Sequence, residues 1–262
     1  IFAGGLDGRT EAEEGDIRGI FKGFKNGDRD AIENPECQTN LLKALVATGK
    51  PVVMINMTGS ATAMPWEAEH VNAVLQAWYP GEAGGTAIAD VLFGAYNPSG
   101  RLPVTFYRAT TDLPAFDDYA MKGRTYRYFA GKPLWSFGYG LSYTQFGYGG
   151  VSVDKNQLTA SDTLKVSLDV TNTGASAGDE VVQVYARTAV PAPGDPVERL
   201  VGFRRISLAS GQKSRVEISV PLALLRNWDV TRRNYVVPLG KYELQVGSSS
   251  SDVRGKAAFE IK

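Results

Sequence analysis

The hydrophobic pattern changes its period near residue 140, and this change constrains the fold more than any other feature of the chain. Beyond it, LKVSLDV alternates strictly, so that Leu164, Val166, Leu168 and Val170 point to one side of an extended backbone. EVVQVYAR, SRVEISV and KYELQVG are similar short runs. Breaks at Asn172–Gly174, Ala209–Gly211 and Pro238–Gly240 separate them. A series of this kind predicts an antiparallel β-sandwich with little helix. The proline-rich AVPAPGDPVE is expected as an exposed loop between two of its strands.

Before residue 140, strand-like runs alternate with helical spacing. IFAGG reads as the end of a strand. PECQTNLLKALVATGK places Leu41, Leu42, Leu45 and Val46 at helical intervals, with Pro35 near its start and Gly49 at its end. PVVMINM is a nearly continuous apolar run, the pattern of a strand covered on both faces. EAEHVNAVLQAW mixes helical spacing with a strand-like end, and TAIADVLFG puts Ile88, Val91 and Leu92 on one helical face. RLPVTF is expected as a closing strand. The predicted fold is therefore α/β followed by all-β. The expected divisions are an α/β domain over 1–107, an aromatic-rich linker over 108–136 and a β-sandwich over 137–262. The linker has weak periodicity and unusual length, and its aromatics are expected to pack along a surface. The first strand already feeds a helix–strand series, and no methionine begins the chain. The expectation is a C-terminal fragment or one chain of a cleaved protein.

Charge and composition exclude several classes of function. Lys plus Arg and Asp plus Glu balance at 28 each, so no basic field is available for nucleic acid or an anionic membrane surface. No apolar run approaches the roughly 20 residues that span a bilayer. One cysteine, Cys37, and one histidine, His70, leave no internal disulfide and no Cys- or His-rich metal site. Cys37 is read as a buried filler rather than a nucleophile, and His70 as a helix-surface or packing residue. Trp66 and Trp78 are read as core residues before sugar-stacking ones.

GxxxxGK[ST] and GxGxxG motifs are absent, and the GxSxG match at Gly174–Gly178 lies between strand-like runs rather than on a strand-to-helix turn, which removes the common nucleotide-binding loops and the hydrolase elbow. What remains is an acidic cluster after IFAGG, in GLDGRTEAEEGD: Glu11, Glu13, Glu14 and Asp16. Carboxylates beyond the C-terminal end of a strand in an α/β sheet lie where ligands are generally bound. Crowded carboxylates raise one another's pKa, and a protonated acid can then serve a leaving oxygen. On the residues alone a solvated acidic loop is the preferred reading of this cluster, because charge runs usually lie on the surface.

A longer set of segments carries a family resemblance. IFAGGLDGRTEAE, NGDRDAIENPECQTNLLKAL, GKPVVMINMTGSA, AVLQAWYPGEAGGTAIADVLFGAYNPSGRLPVTF and PLWSFGYGLSYTQF occur in this order. Together they resemble the second domain of family 3 glycoside hydrolases. VTNTGASAGDEVVQVY and LVGFRRISLASGQ resemble the fibronectin type III-like domain of the same family. Locally, Glu82 lies near a helix N-terminus and Asn97, Pro98 and Gly100 suggest a tight turn, both structural readings.

The resemblance implies a retaining, exo-acting enzyme that removes terminal β-linked sugars, with β-glucosidase leading and β-xylosidase as rival. It implies an aspartate nucleophile in an N-terminal (β/α)8 barrel of about 250 residues. It also implies an acid/base glutamate on the loop that leaves IFAGG. That role carries over to Glu11, with Glu14 in reserve and Glu13 third. Asp28–Arg29 is expected as an ion-paired structural element. No cofactor or metal is implied. The expected partners are a β-linked oligosaccharide or glycoside, the barrel polypeptide and, as an option, a second copy of the chain. Nucleic acid and membrane are not expected. A periplasmic or extracellular setting is favoured over a cytoplasmic one. A reading of a different class is a non-catalytic sugar-binding or dimerisation module.

Overall fold

The computed structural model describes residues 1–6, 24–25 and 28–262 of the chain. These fall into two compact units that do not follow chain order. The first holds Ile1–Ala95, Thr105–Ala120 and Gly131–Trp135, and the second holds Tyr96–Val104, Met121–Ala130 and Ser136–Lys262. Among the described residues, no helix is long and apolar enough to cross a membrane.

The first unit is built on a parallel sheet. Its elements are β1 (Phe2–Gly5), a short ribbon of β2 (Phe24–Lys25) and β3 (Asp28–Arg29), α1 (Glu36–Val46), β4 (Val53–Met57), α2 (Pro65–His70), β5 (Ala73–Gln76) and α3 (Gly84–Leu92). The sheet order is β1-β4-β5, all parallel. Parallel neighbours need crossovers, and α2 supplies the one between β4 and β5. In β4, Met54, Ile55 and Asn56 are buried in succession, so both faces of the strand are covered, as its apolar run predicts. Helix α1 matches its expected limits: Pro35 stands at the N-cap, Glu36 in the first turn and Lys43 in the last, both favourable to the helix dipole. Leu42 is fully buried while its neighbour Leu41 is 51% exposed, which places the inner face of α1. Cys37 is exposed, which overturns the reading of a buried filler; it lies on the outer face of α1. His70 is a helix-surface residue, stacked on Trp66 with ring centroids 4.6 Å apart.

RLPVTF does not form a strand of this sheet. Pro103 has no amide hydrogen for a ladder. The amide of Leu102 donates to the Tyr139 carbonyl and its carbonyl accepts from Gly138. Phe106 alone forms an isolated antiparallel bridge, to Trp135.

The second unit is a β-sandwich. After α4 (Thr125–Tyr128) come β6 (Phe146–Tyr148), β7 (Ser152–Val153), β8 (Gln157–Leu158), β9 (Thr163–Asn172), β10 (Gly178–Thr188), β11 (Arg199–Leu208), β12 (Lys213–Pro221), β13 (Asn227–Asp229), β14 (Asn234–Val236), β15 (Gly240–Ser249) and β16 (Asp252–Ile261). One sheet runs β11-β10-β15-β16-β8 and the other β12-β9-β6, with β7 also on β9. Leu164, Val166, Leu168 and Val170 are all fully buried, as the alternation in β9 requires. They meet Val182, Val184 and Leu244 of the facing sheet in one core. Burial of each such side chain is worth about 1.5–3 kcal/mol, so the alternation alone commits this segment to the sandwich.

The buried Glu180 and Glu198 and the half-buried Asn97 stand out among the polar groups of this unit. Glu180 on β10 is paired with Arg101 at 3.0 Å, and both side chains are at most 9% exposed. Asn97 makes no tight turn; its side chain donates to the Ala177 carbonyl and accepts from Ser142 and the Tyr143 amide. Glu198 ends the proline-rich 189–198 segment, which is otherwise mostly exposed, but is itself only 7% exposed. Burial pushes its carboxyl up to about 7, with Arg187 opposing the shift. Tyr126 and Tyr185 share its surroundings.

Candidate functional site

The C-terminal ends of β1, β4 and β5 form one level edge. Gly5 pairs with Met57, and Asn56 with Gln76. The Leu6 amide donates to the Met57 carbonyl and the Ala77 amide to the Asn56 carbonyl, so the three strands finish together. This is the edge at which α/β sheets present ligands. In sequence, the acidic cluster follows β1. Glu11 and Glu14, with Glu13, lie outside the described residues.

Two close packings fix the end of β1. Gly5 has φ +150°, and a Cβ there would stand 1.9 Å from the Met57 carbonyl oxygen. Only glycine lets the strand finish so close to β4. The Gln38 side chain on α1 donates to the Gly5 carbonyl at 2.7 Å. A helix residue thereby holds the last residue of the strand from which the acidic segment departs. Sequence reasoning did not single out Gln38, because a polar residue in the first turn of a helix looks like ordinary solvent-facing polarity.

A polar cluster lies under the same edge. The Asn56 amide donates to Gln76 Oε1 at 2.6 Å and to Thr58 Oγ1 at 3.4 Å, and Thr58 donates to the Ser60 carbonyl at 2.7 Å. Asn56 is fully buried and its Oδ1 has no hydrogen-bond partner. Glu67 is buried nearby in sequence on α2, where it accepts from Asn34 at 2.9 Å and Thr39 at 2.5 Å. Those bonds mark it as a structural carboxylate that ties α1 to α2.

Glu33 is the described carboxylate with the most specific electrostatics in this unit. Its partial burial would raise its pKa, but hydrogen bonds from the Thr110 hydroxyl and amide outweigh that and hold it below the ordinary value. It is therefore an acceptor that orders the Thr110 turn, and a poor proton donor. Arg29 donates to Ser60 at 3.1 Å and to the Glu33 carbonyl at 3.3 Å.

The aromatics divide unexpectedly. Trp78, just past β5, has φ +56°, a left-handed conformation rare for a bulky residue. It is half-buried, with its ring edge-on to Phe106 at 6.2 Å. Trp66 is also half-buried, under Lys43 at 5.6 Å. Neither is fully enclosed as a core residue would be. A concave surface of the sandwich is lined by Lys241, Glu243, Lys256 and Glu260, with Lys256 bonded to Glu243 at 3.1 Å.

Comparison with known proteins agrees with this architecture. Residues 1–143 match the model of the glycosyl hydrolase family 3 C-terminal domain, and residues 180–250 match that of a fibronectin type III-like domain. The xylan 1,4-beta-xylosidase of Xylanibacter ruminicola is 45% identical over 252 residues, which is 96% of this chain and 29% of that enzyme. The periplasmic beta-glucosidase of Salmonella typhimurium is 36% identical over 89% of this chain and 32% of its own length. A β-glucosidase structure from Erythrobacter marinus superposes with TM-score 0.83 at 34% identity, covering 99% of this chain and 34% of that one. The relatives are thus glycoside hydrolases, and the chain spans about a third of their length. The chain belongs to glycosyl hydrolase family 3, of which it carries the C-terminal domain and the fibronectin type III-like domain.

Proposed function

We propose that this chain is the C-terminal part of a retaining, exo-acting β-glucosidase, to which it lends the acid/base carboxyl. The observation that carries the reading is one of sequence order: the acidic segment follows β1, whose C-terminal end lies on the ligand-presenting edge of a parallel sheet, in a chain of this family. Glu11 is the proposed donor, with Glu14 as the alternative. The nucleophilic aspartate belongs to an N-terminal (β/α)8 barrel, in keeping with relatives about three times as long as this chain.

In the first step the aspartate attacks the anomeric carbon while the protonated glutamate gives its proton to the departing glycosidic oxygen. In the second step the glutamate, now ionised, takes a proton from water as that water displaces the enzyme carboxylate. Retention by this route requires carboxyl groups about 5–5.5 Å apart. A β-xylosidase is a second reading, favoured by the 45% identity to an enzyme named as a xylosidase. Parallel assays on aryl β-glucosides and aryl β-xylosides decide between the two.

The central test is Glu11→Gln and Glu14→Gln, each in the enzyme that contains the barrel. The acid/base variant loses turnover of substrates with poor leaving groups far more than of those with good ones. General acid catalysis of this kind is worth about 10²–10⁴-fold. If both variants keep full turnover of poor-leaving-group substrates, the reading is wrong.

A further inference from the structure

The β13–β14 ribbon is inverted: its aromatic side chains face water and its polar ones turn inward. Along β13, Trp228 is 54% exposed while its neighbours Asn227 and Asp229 are half-buried. An ordinary surface strand does the reverse. The register sets Tyr235 directly opposite Trp228 on the same face, and it is 58% exposed. The two rings meet edge to face with centroids 5.2 Å apart, and the Arg226 guanidinium lies 5.2 Å from the Tyr235 centroid. The inward polar groups have partners. Asn227 Oδ1 accepts from the guanidinium of the buried Arg199, which also donates to the Arg226 carbonyl at 2.9 Å. Asp229 Oδ1 accepts the Thr231 and Arg232 amides at 2.9 Å each and so closes the turn. A two-stranded ribbon is marginal by itself, so these bonds hold the rings in place. A pair of large aromatics kept in water by a bonded root, and unused by the core, marks a contact surface.

We propose that this ribbon is a binding site for an acidic glycan, with its rings against the sugar faces and its arginines on the carboxylates. Charge supports the anion. The span 226–235 carries Arg226, Arg232 and Arg233 against Asp229 alone, in a chain with 28 charges of each sign. Asp229 is already engaged in the turn, and Arg232 reaches it only at 3.7 Å. Arg226 is exposed at the root of the ribbon and Arg232 and Arg233 at its tip, so guanidinium groups flank the rings at both ends. A guanidinium fork matches a carboxylate, and it also stacks on aromatic faces, as Arg226 does here. Size favours a glycan over a protein partner. Strands of three residues present a face about 10 Å long and about 5 Å wide. That is a small fraction of the roughly 800 Å² that a stable protein partner covers, but it suits a short run of sugar rings. The site lies within the second unit and goes beyond the catalytic reading, which the Glu11 and Glu14 variants judge separately.

The test is affinity electrophoresis of the 262-residue chain through gels that hold a β-linked xylan bearing glucuronic acid, or the same polymer with its carboxyls reduced to alcohols. The acidic polymer retards the chain. The reduced polymer binds about five-fold more weakly, the size of a pair of exposed charge contacts. Arg232→Gln with Arg233→Gln weakens binding to the acidic polymer by a similar factor and leaves binding to the reduced one unchanged. Trp228→Ala weakens binding to both about five-fold, the size of an aromatic contact. The substituted side chains are exposed, so the variants keep the wild-type midpoint in urea. No retardation by the acidic polymer, equal affinity for the two polymers, or unaltered binding in Trp228→Ala overturns the proposal. Binding of poly-L-glutamate as tight as that of the acidic polymer reduces the site to general electrostatics and also overturns it. Dimerisation of the chain that Trp228→Ala abolishes, without retardation by either polymer, assigns the face to a protein contact instead and overturns it.

Discussion

The buried pair of Arg101 and Glu180 gives a quantitative test of how the sandwich is held together. The two side chains are 9% and 3% exposed and meet at 3.0 Å. Glu180 Oε1 also accepts the Val181 amide at 2.8 Å, and Arg101 also donates to the Gly100 carbonyl at 3.0 Å. Arg101→Ala leaves a carboxylate enclosed with one backbone donor in place of a guanidinium. Breaking a buried pair from one side costs about 3–5 kcal/mol, because the remaining charge is stranded. For a unit of this size, about 2–4 °C of Tm accompany each kcal/mol, so the melting point should fall by roughly 6–20 °C. The apolar double replacement Arg101→Met with Glu180→Leu should recover most of that loss, since neither charge then has to be desolvated. Arg187→Ala provides the reference. Its partner Glu243 lies 2.8 Å away, but both side chains are well exposed, and loss of that pair should cost at most about 1 kcal/mol. Urea unfolding of the single and double variants closes the cycle. If Arg101→Ala costs no more than Arg187→Ala, burial is not what gives the pair its weight and the reasoning fails.

Two other perturbations follow from the geometry. Glu198 has a folded pKa of about 7 against an ordinary 4.5, so the native state holds its proton more tightly than the unfolded chain. Stability should therefore fall as pH rises from about 4.5 to 7, by on the order of 3 kcal/mol, with Tyr126, Tyr185 and Arg187 as the facing groups. Urea unfolding of Glu198→Gln at pH 5 and pH 8 should show this dependence abolished; persistence of the full slope would place its origin elsewhere. Gly5→Ala forces a methyl into the Met57 carbonyl and should destabilise the first unit by about 1–3 kcal/mol, read as earlier urea unfolding; a neutral effect would mean that β1 can shift at no cost.

The elements legible in the sequence were those with a single dominant period. The alternation in β9 and the apolar run in β4 can bury their side chains in only one way, so local pattern and tertiary position coincide. Strands β11 and β16 were not read, because both are largely covered on one side only and carry Arg204, Arg205, Arg254 and Lys256 on exposed or half-exposed positions. RLPVTF has the apolar content of a strand but a proline at its centre. Asn97 looked like a turn residue because its partners, Ala177, Ser142 and Tyr143, are at least 45 residues away. Glu180 and Glu198 sit in ordinary-looking strand and loop sequence, and their burial depends on distant residues such as Arg101 and Tyr126. At the candidate site the strand end before the acidic cluster was legible, whereas the role of Gln38 depends on Gly5, 33 residues away in the chain.

The lone sulfhydryl on the outer face of α1 has a practical use. With Cys37 exposed and no second thiol in the 262 residues, a maleimide dye attaches at one defined point without prior engineering. A fluorophore there reports the surroundings of α1 while the first unit unfolds.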